Sequence, residues 1–450
     1  MQRAASKGKR VVITTLGSTG DLHPYVAVAL GLRARGDDVV IATGECYRAK
    51  IEKLGLGFAP VRPDCDWVAD PQVMRRILQP QRGLERIMRE VLLPVLWQTY
   101  EDTSAAAQGA DLLVAMQSNL ASPLVAEKQG IPWVSAMHLP IGLASAYDPP
   151  VLPGFEVLSK ALRFLGPAFW VPLRRSLTWA TNFWAKPWYR LREEIGLPPG
   201  ATANPLTQGQ APLLHLALFS PLIIDKQADW PPQTVVTGFP WYDRHGEGEL
   251  PAELARFLDA GSPPVVFTLG TAIVEGAGAA EFFATSAAAA KSLGRRAVLI
   301  FNGPRNRLPA LPEGVLVVDY APFSELLPRA AAVVHHGGIG TTGLAMRSGR
   351  PMLVMPCAWD QPDNAARAVR LGVARTISRR RYTAARVAAE LGRLLDNPRY
   401  AERASKVGEQ VRQEDGARVA CDALSGLLDR RPAGDTLLER HRICGRSDSE

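Results

Sequence analysis

Two stretches of this chain carry residue types at spacings that could do chemistry. The first is Gly17-Ser18-Thr19-Gly20-Asp21-Leu22-His23-Pro24. A carboxylate and an imidazole lie two residues apart, and either could take a proton as a general base. Asp21 follows a strand end and precedes a helix, so it should face the ligand edge of a sheet; its alternative use is as a helix N-cap. His23 is expected on the other side of the turn. The second stretch is His335-His336-Gly337-Gly338-Ile339-Gly340-Thr341-Thr342, followed by Asp360-Gln361-Pro362-Asp363-Asn364. Glycines here let the backbone turn tightly and approach a ligand closely. Thr341 and Thr342 are placed to cap a helix running to about Arg347. A helix N-terminus offers unpaired N–H groups and partial positive charge, for which phosphate is a common guest. Asp360 and Gln361, at the next strand end, could hold a polyol beside a diphosphate.

Strands must position these residues. Apolar runs at 9–16, 38–43, 111–116, 132–137 and 213–219 read as buried strands of a first unit, with a further strand at 234–237. Runs at 264–269, 297–301, 315–319, 331–334, 351–356 and 373–377 read as a second set, the last at an edge. Helices are expected at 25–35, twice within 70–105, at 122–129, 281–292 and 364–371, and from 382 to about 428. The βα alternation predicts an α/β chain with right-handed parallel units. At 450 residues two domains are expected. They span 1–228 and 246–428, with a Pro- and Trp-rich crossover at 229–245 and a polar, disordered tail at 429–450.

Composition excludes several classes. The net charge is +8, but arginines are dispersed except for Arg379-Arg380-Arg381, which argues against a nucleic-acid partner. No apolar stretch reaches the length of a membrane span. Cys46, Cys65, Cys357, Cys421 and Cys444 are widely spaced and odd in number, which suits free thiols in a cytoplasmic protein. Asp64-Cys65-Asp66 is a D-x-D pair of the kind that can hold a divalent metal, but in a Pro-containing loop far from other ligands it reads as solvated.

The His335–Thr342 run, Gly349-Arg350-Pro351 and Asp360–Asn364 together resemble the donor signature of family-one glycosyltransferases, over roughly residues 9–425. The bacterial antibiotic and sterol enzymes are the most similar. The resemblance implies two doubly wound, Rossmann-like domains facing across a cleft (the GT-B fold), with the last helix crossing back to the first domain. It implies Asp21 as catalytic base, aligned through Gly20-x-x-x-Pro24, in an inverting transfer from a UDP- or dTDP-sugar, glucose by family frequency. No metal and no cofactor beyond that donor are implied. Gly270, Thr271, His335, His336, Gly338, Gly340, Thr341 and Thr342 would hold the diphosphate. Tyr320 and Pro322 would meet the base, with Phe323 where the family has Gln or His. Asp360, Gln361 and Asn364 would hold the sugar. Near Gln117, where a histidine base would find its orienting aspartate, there is no carboxylate. Gly343 stands where many members carry an acid for the ribose.

The acceptor would be small and lipophilic, such as a phenol, macrolide or sterol. His138, Trp170 and Trp184 are candidates for its pocket. Residues 151–200 interleave aromatic and basic side chains, which leaves three readings: helices packing a core, an acceptor pocket, or an interfacial helix at a membrane. A non-catalytic nucleotide-sugar-binding partner and a membrane-surface lipid glycosyltransferase remain as other functions. Monomer and homodimer are both compatible with the sequence.

Overall fold

A computed structural model describes residues 8–65, 67, 70–199, 204–205, 212–242, 250–270 and 278–429. The first sheet contains β1 (Arg10–Thr14), β2 (Asp38–Thr43), β3 (Gly57–Pro60), β4 (Leu112–Met116), β5 (Trp133–Met137), β6 (Leu214–Ala217) and β7 (Thr234–Val236). The second contains β8 (Val265–Thr268), β9 (Ala297–Ile300), β10 (Val315–Val318), β11 (Ala332–His335), β12 (Met352–Val354) and β13 (Ala374–Thr376). The orders are β3-β2-β1-β4-β5-β6-β7 and β10-β9-β8-β11-β12-β13, with every pairing parallel. Strands buried on both faces explain the continuous apolar runs of the sequence. Each order reverses beside its first strand, and ligands of open α/β sheets bind at the carboxyl ends there. Asp21 follows β1, Gly270 follows β8 and His336 follows β11, so the topology gathers the chemistry-bearing residues at these two points.

The domains face each other in the GT-B arrangement. One apolar cluster is continuous from Met137 and Ala217 at the first sheet, through Phe219, Trp230 and Phe239, to Val333 and Met346 of the second domain. The last helix, Gly416–Asp429, packs on the first domain. Its Ala420, Cys421 and Leu424 enter the core of the first sheet, and Arg35 pairs with Asp422 at 2.6 Å.

Several elements differ from the sequence expectation. The first helix starts at Thr19 rather than 25, because Ser18 and Asp21 form a reciprocal cap and Pro24 is accepted inside it. Asp21 therefore sits in a helical first turn, not a loop. The helix after β11 spans Ile339–Ser348 with Gly338 as N-cap, so Thr341 and Thr342 lie inside its first turn. Thr342 Oγ1 turns back to the Gly338 carbonyl at 2.9 Å. The next helix starts at Gln361, not 364. β3 was not visible in the sequence, since Gly57-Phe58-Ala59-Pro60 is short and half-exposed. β7, by contrast, falls on the strand expected at 234–237 inside the crossover.

The free-thiol reading of all cysteines is corrected. Cys46 and Cys65 form a disulfide, with Cα atoms 6.2 Å apart. β2 and β3 pair in parallel with Thr43 opposite Pro60, which brings the loops after both strands together. Sequence separation hides that proximity. Cys357 and Cys421 are free thiols. Cys444 and the tail from residue 430 lie outside the described residues, as do Asp66 and Thr271.

Candidate active site

Asp21 is held from two sides. Its Oδ2 accepts from Ser18 N at 2.7 Å and Ser18 Oγ at 2.8 Å. Its Oδ1 lies 2.9 Å from His138 Nε2. His138 is buried just past β5, its Nδ1 lying 3.5 Å from Tyr25 Oη, which itself donates to the Ala136 carbonyl. Burial works to raise the Asp21 carboxyl, but the hydrogen bond and charge of His138, with the Ser18 bonds, outweigh it and hold it below the ordinary carboxylate value. A side-chain exposure of 25% leaves it open to a substrate. The sequence reading assigned His138 to the acceptor pocket and gave Asp21 no partner. The structure places a partner for Asp21 just past β5. Gln117 stands at the end of β4, and its Oε1 is buried without a hydrogen bond. His23 is placed elsewhere, with its Nε2 2.6 Å from Lys50 Nζ and its ring edge-on to Tyr242.

The second switch point separates the two histidines sharply. His335 is fully buried; its Nδ1 accepts from Gly337 N at 3.1 Å, and its Nε2 lies 3.3 Å from Met352 Sδ. Both ring nitrogens are thus committed inside the protein. His336 has a buried Nδ1 with no partner. Its ring lies between two glycines: a Cβ on Gly270 would come within 2.4 Å of the ring, and one on Gly338 within 2.6 Å. Burial pushes His335 down to about 3, with His336 adding to it, and pushes His336 down to about 4. Both are neutral at physiological pH. Gly337, at φ +94°, lets the chain turn from β11 into the helix 339–348, where any Cβ would meet Val354 at 2.9 Å. An orphaned imidazole nitrogen, two glycines and a helix N-terminus form a cradle that fits a diphosphate.

At the end of β12, Asp360 is buried, and Asn364 Nδ2 binds both its Oδ2 at 2.6 Å and the Gly337 carbonyl at 3.0 Å. Asn364 therefore ties the two loops together, and its Oδ1 is left without a partner. Gln361 Oε1 accepts from Cys357 N and Ala358 N, which leaves its amide NH2 as the donor group. Burial raises Asp360 to about 6, and the group also feels the charges of His138 and Asp21 across the cleft. Tyr320 is 40% exposed at the end of β10, with Pro322 as cap of the short turn after it. Gly343 is buried with the Phe239 ring against it, so an acidic side chain has no room there.

Trp170 is buried between its own helix and the preceding one, donating to the Leu162 carbonyl at 3.1 Å. Trp184 is half-buried, and its Nε1 has no partner. Two features escaped the sequence reading. Trp359 is left-handed at φ 55° and donates from Nε1 to the Ile77 carbonyl of the first domain at 3.0 Å. Its position beside Asp360 was the only signal. Asp148 gathers Arg163, Arg367 and Arg370, joining the loop after β5 to the helix 361–370. Among the described residues the one cluster with metal-ligand geometry is Cys46, Asp64 and Cys65, and its two sulfurs are spent on the disulfide.

Two facing parallel-sheet domains, one with a carboxylate fixed at a strand end and the other with a glycine-lined helix N-terminus that fits a phosphate, have the layout of a GT-B fold. Residues 11–147 match the glycosyltransferase family 28 N-terminal domain, and residues 290–420 the erythromycin biosynthesis protein CIII-like C-terminal domain. The chain is 34% identical to the O-mycaminosyltylonolide 6-deoxyallosyltransferase of Streptomyces fradiae, over 95% of this chain and 99% of that one. It is 30% identical to the vancomycin aglycone glucosyltransferase of Amycolatopsis orientalis, over 94% and 98%. The structure of the glycosyltransferase VinC in complex with dTDP shares the fold, with TM-score 0.64 and 23% identity over 94% of this chain and 100% of that one. The chain belongs to the family-one glycosyltransferases of the GT-B fold.

Proposed function

We propose that this enzyme moves a hexose, glucose in the first instance, from a UDP- or dTDP-sugar to a hydroxyl of a small lipophilic acceptor, inverting the anomeric carbon without a metal. The reading is carried by the Asp21 carboxylate, fixed at its strand end by Ser18 and His138. Asp21 takes the acceptor proton as the hydroxyl oxygen attacks the anomeric carbon. The bond from that carbon to the diphosphate breaks on the opposite face. Negative charge growing on the leaving diphosphate is met by the N-terminus of the helix 339–348, by the backbone at Gly338, Gly340, Thr341 and Thr342, and by His336. Asp360 and Gln361 hold sugar hydroxyls, and Tyr320 stacks on the base. His335 supports the loop from behind. The packed position of Gly343 leaves UDP and dTDP donors equally admissible. The Cys46–Cys65 disulfide bears on compartment: thiol alkylation of cell extracts reports whether the pair is reduced there, as a cytoplasmic location would favour.

The test is mass spectrometry on purified protein with UDP-glucose or dTDP-glucose, EDTA and a panel of phenolic, sterol and macrolide acceptors. A hexose-sized mass gain supports the proposal; nucleotide binding without product from any acceptor sinks it in favour of a non-catalytic partner. His138→Gln should move the acid limb of kcat/KM to higher pH, because losing its bond lets burial raise Asp21, which must be ionised to act. A pH–rate profile with an unmoved acid limb would remove His138 from the mechanism. Gly338→Ala drives a methyl onto the His336 ring, so nucleotide diphosphate affinity should fall about tenfold, for a loss of roughly 1.4 kcal/mol. Isothermal titration checks it.

A further inference from the structure

The helices Glu156–Leu162 and Gly166–Thr181, with the short turns that follow them, carry apolar side chains that no described residue covers. Phe164 and Val157 are each 83% exposed and Trp179 is 82% exposed, with Phe183 and Leu177 about half open. On the longer helix the exposed positions are Ala168, Pro172, Arg175, Ser176, Leu177, Trp179 and Ala180, a broad face along which 168, 172, 175, 176 and 179 recur three or four apart. The opposite face is anchored: Trp170 bonds Leu162, and Arg174 reaches the Ala144 carbonyl and Asp229 at 2.9 Å each. A residue lining a small-molecule pocket loses much of its exposure to the opposing wall. Side chains more than four-fifths exposed project outward instead, so the acceptor-pocket reading does not account for them.

Charge says what covers this face. Between 157 and 192 there are seven basic residues and no acidic one. Arg163, Arg174 and Arg192 are paired with Asp148, Asp229 and Glu127. Lys160, Arg175, Lys186 and Arg190 are exposed and form no ion pair among the described residues. A second copy of the chain would bring like charges together around the same apolar stripe. An anionic lipid surface matches both features, with aromatic tips at headgroup depth and lysine and arginine against the phosphates. We propose that this face docks the enzyme peripherally on an acidic phospholipid bilayer, with the helix 166–181 lying in the interface. No described helix is long and apolar enough to cross a membrane. The inference is independent of the chemistry proposed above.

The experiment is co-sedimentation of the full chain with phosphatidylcholine vesicles, with and without phosphatidylglycerol. Binding is expected to the anionic vesicles only, and to weaken with salt. The double variant Phe164→Ser/Trp179→Ser should bind at least tenfold more weakly, about what loss of a buried aromatic implies. Each of Lys160→Gln, Arg175→Gln, Lys186→Gln and Arg190→Gln should cost roughly fivefold. An unchanged circular dichroism spectrum and melting midpoint show that the variants fold. Wild-type protein left in the supernatant with anionic vesicles overturns the proposal, as does equal binding to neutral ones. A wild-type dimer that the double variant abolishes, without vesicle binding, overturns it in favour of self-association.

Discussion

Asp21→Asn is expected to fold, to bind nucleotide diphosphate normally and to lose transfer by about a thousandfold or more, the scale of a lost general base. The fold survives because the Asn carbonyl still accepts from Ser18 N, which keeps the first turn of the helix 19–34 capped. Nucleotide binding survives because the phosphate cradle lies on the other domain. On the proposed mechanism the acceptor proton then has no carboxylate to go to, and His138 is already bonded at that position. Steady-state kinetics beside calorimetric titration of UDP and dTDP separates the two effects. Retention of full activity in the variant would dismiss Asp21 as the base, and His23 would be the next residue to replace.

Arg367→Met should destabilise the protein by about 3–5 kcal/mol, the cost of breaking a buried ion pair from one side. Arg367 is 2% exposed, and its Nε donates to Asp363 at 2.7 Å while its Nη1 reaches Asp148 at 2.5 Å. Asp363 is fully buried, and its other oxygen accepts from Val151 N of the first domain at 2.9 Å. Removing the guanidinium leaves a buried charge and loosens the helix that begins with Gln361, so the donor KM should rise as well. Burial would raise the Asp148 carboxyl, but Arg367, Arg163 and Arg370 outweigh it and hold it below its usual 3.8. That stabilisation is full above about pH 4, the unfolded value, and is lost as acid protonates Asp148 below it. Urea unfolding of wild type and variant checks both statements; an unchanged midpoint at neutral pH would show that the network carries no load.

The sheets were legible because parallel strands buried on both faces leave continuous apolar runs, and twelve of the thirteen announced themselves that way. β3 did not, being short and at an edge. Helix starts were read late at 19, 339 and 361, since the caps there rely on Ser18 with Asp21, on Gly338 and on Asp360 rather than on the residues that stood out. Glycines were informative where the backbone must turn or a ring must lie close, as at Gly337 and Gly338.

The sequence by itself determined the two-sheet α/β fold and the family, and it singled out the base candidate Asp21, the glycine-rich turn after β11 and the Asp360-Gln361 pair, because each is written in contiguous residues with local physics. Only the tertiary structure decided between partners. It chose His138, 117 residues away, to orient Asp21, and it buried His335 while leaving His336 with a free nitrogen. It also joined Cys46 to Cys65 and Asp148 to Arg367. Those choices depend on which strand ends share an edge and which face of a loop is covered. Such proximity arises from sheet order and domain packing, and neither leaves a mark on residue spacing.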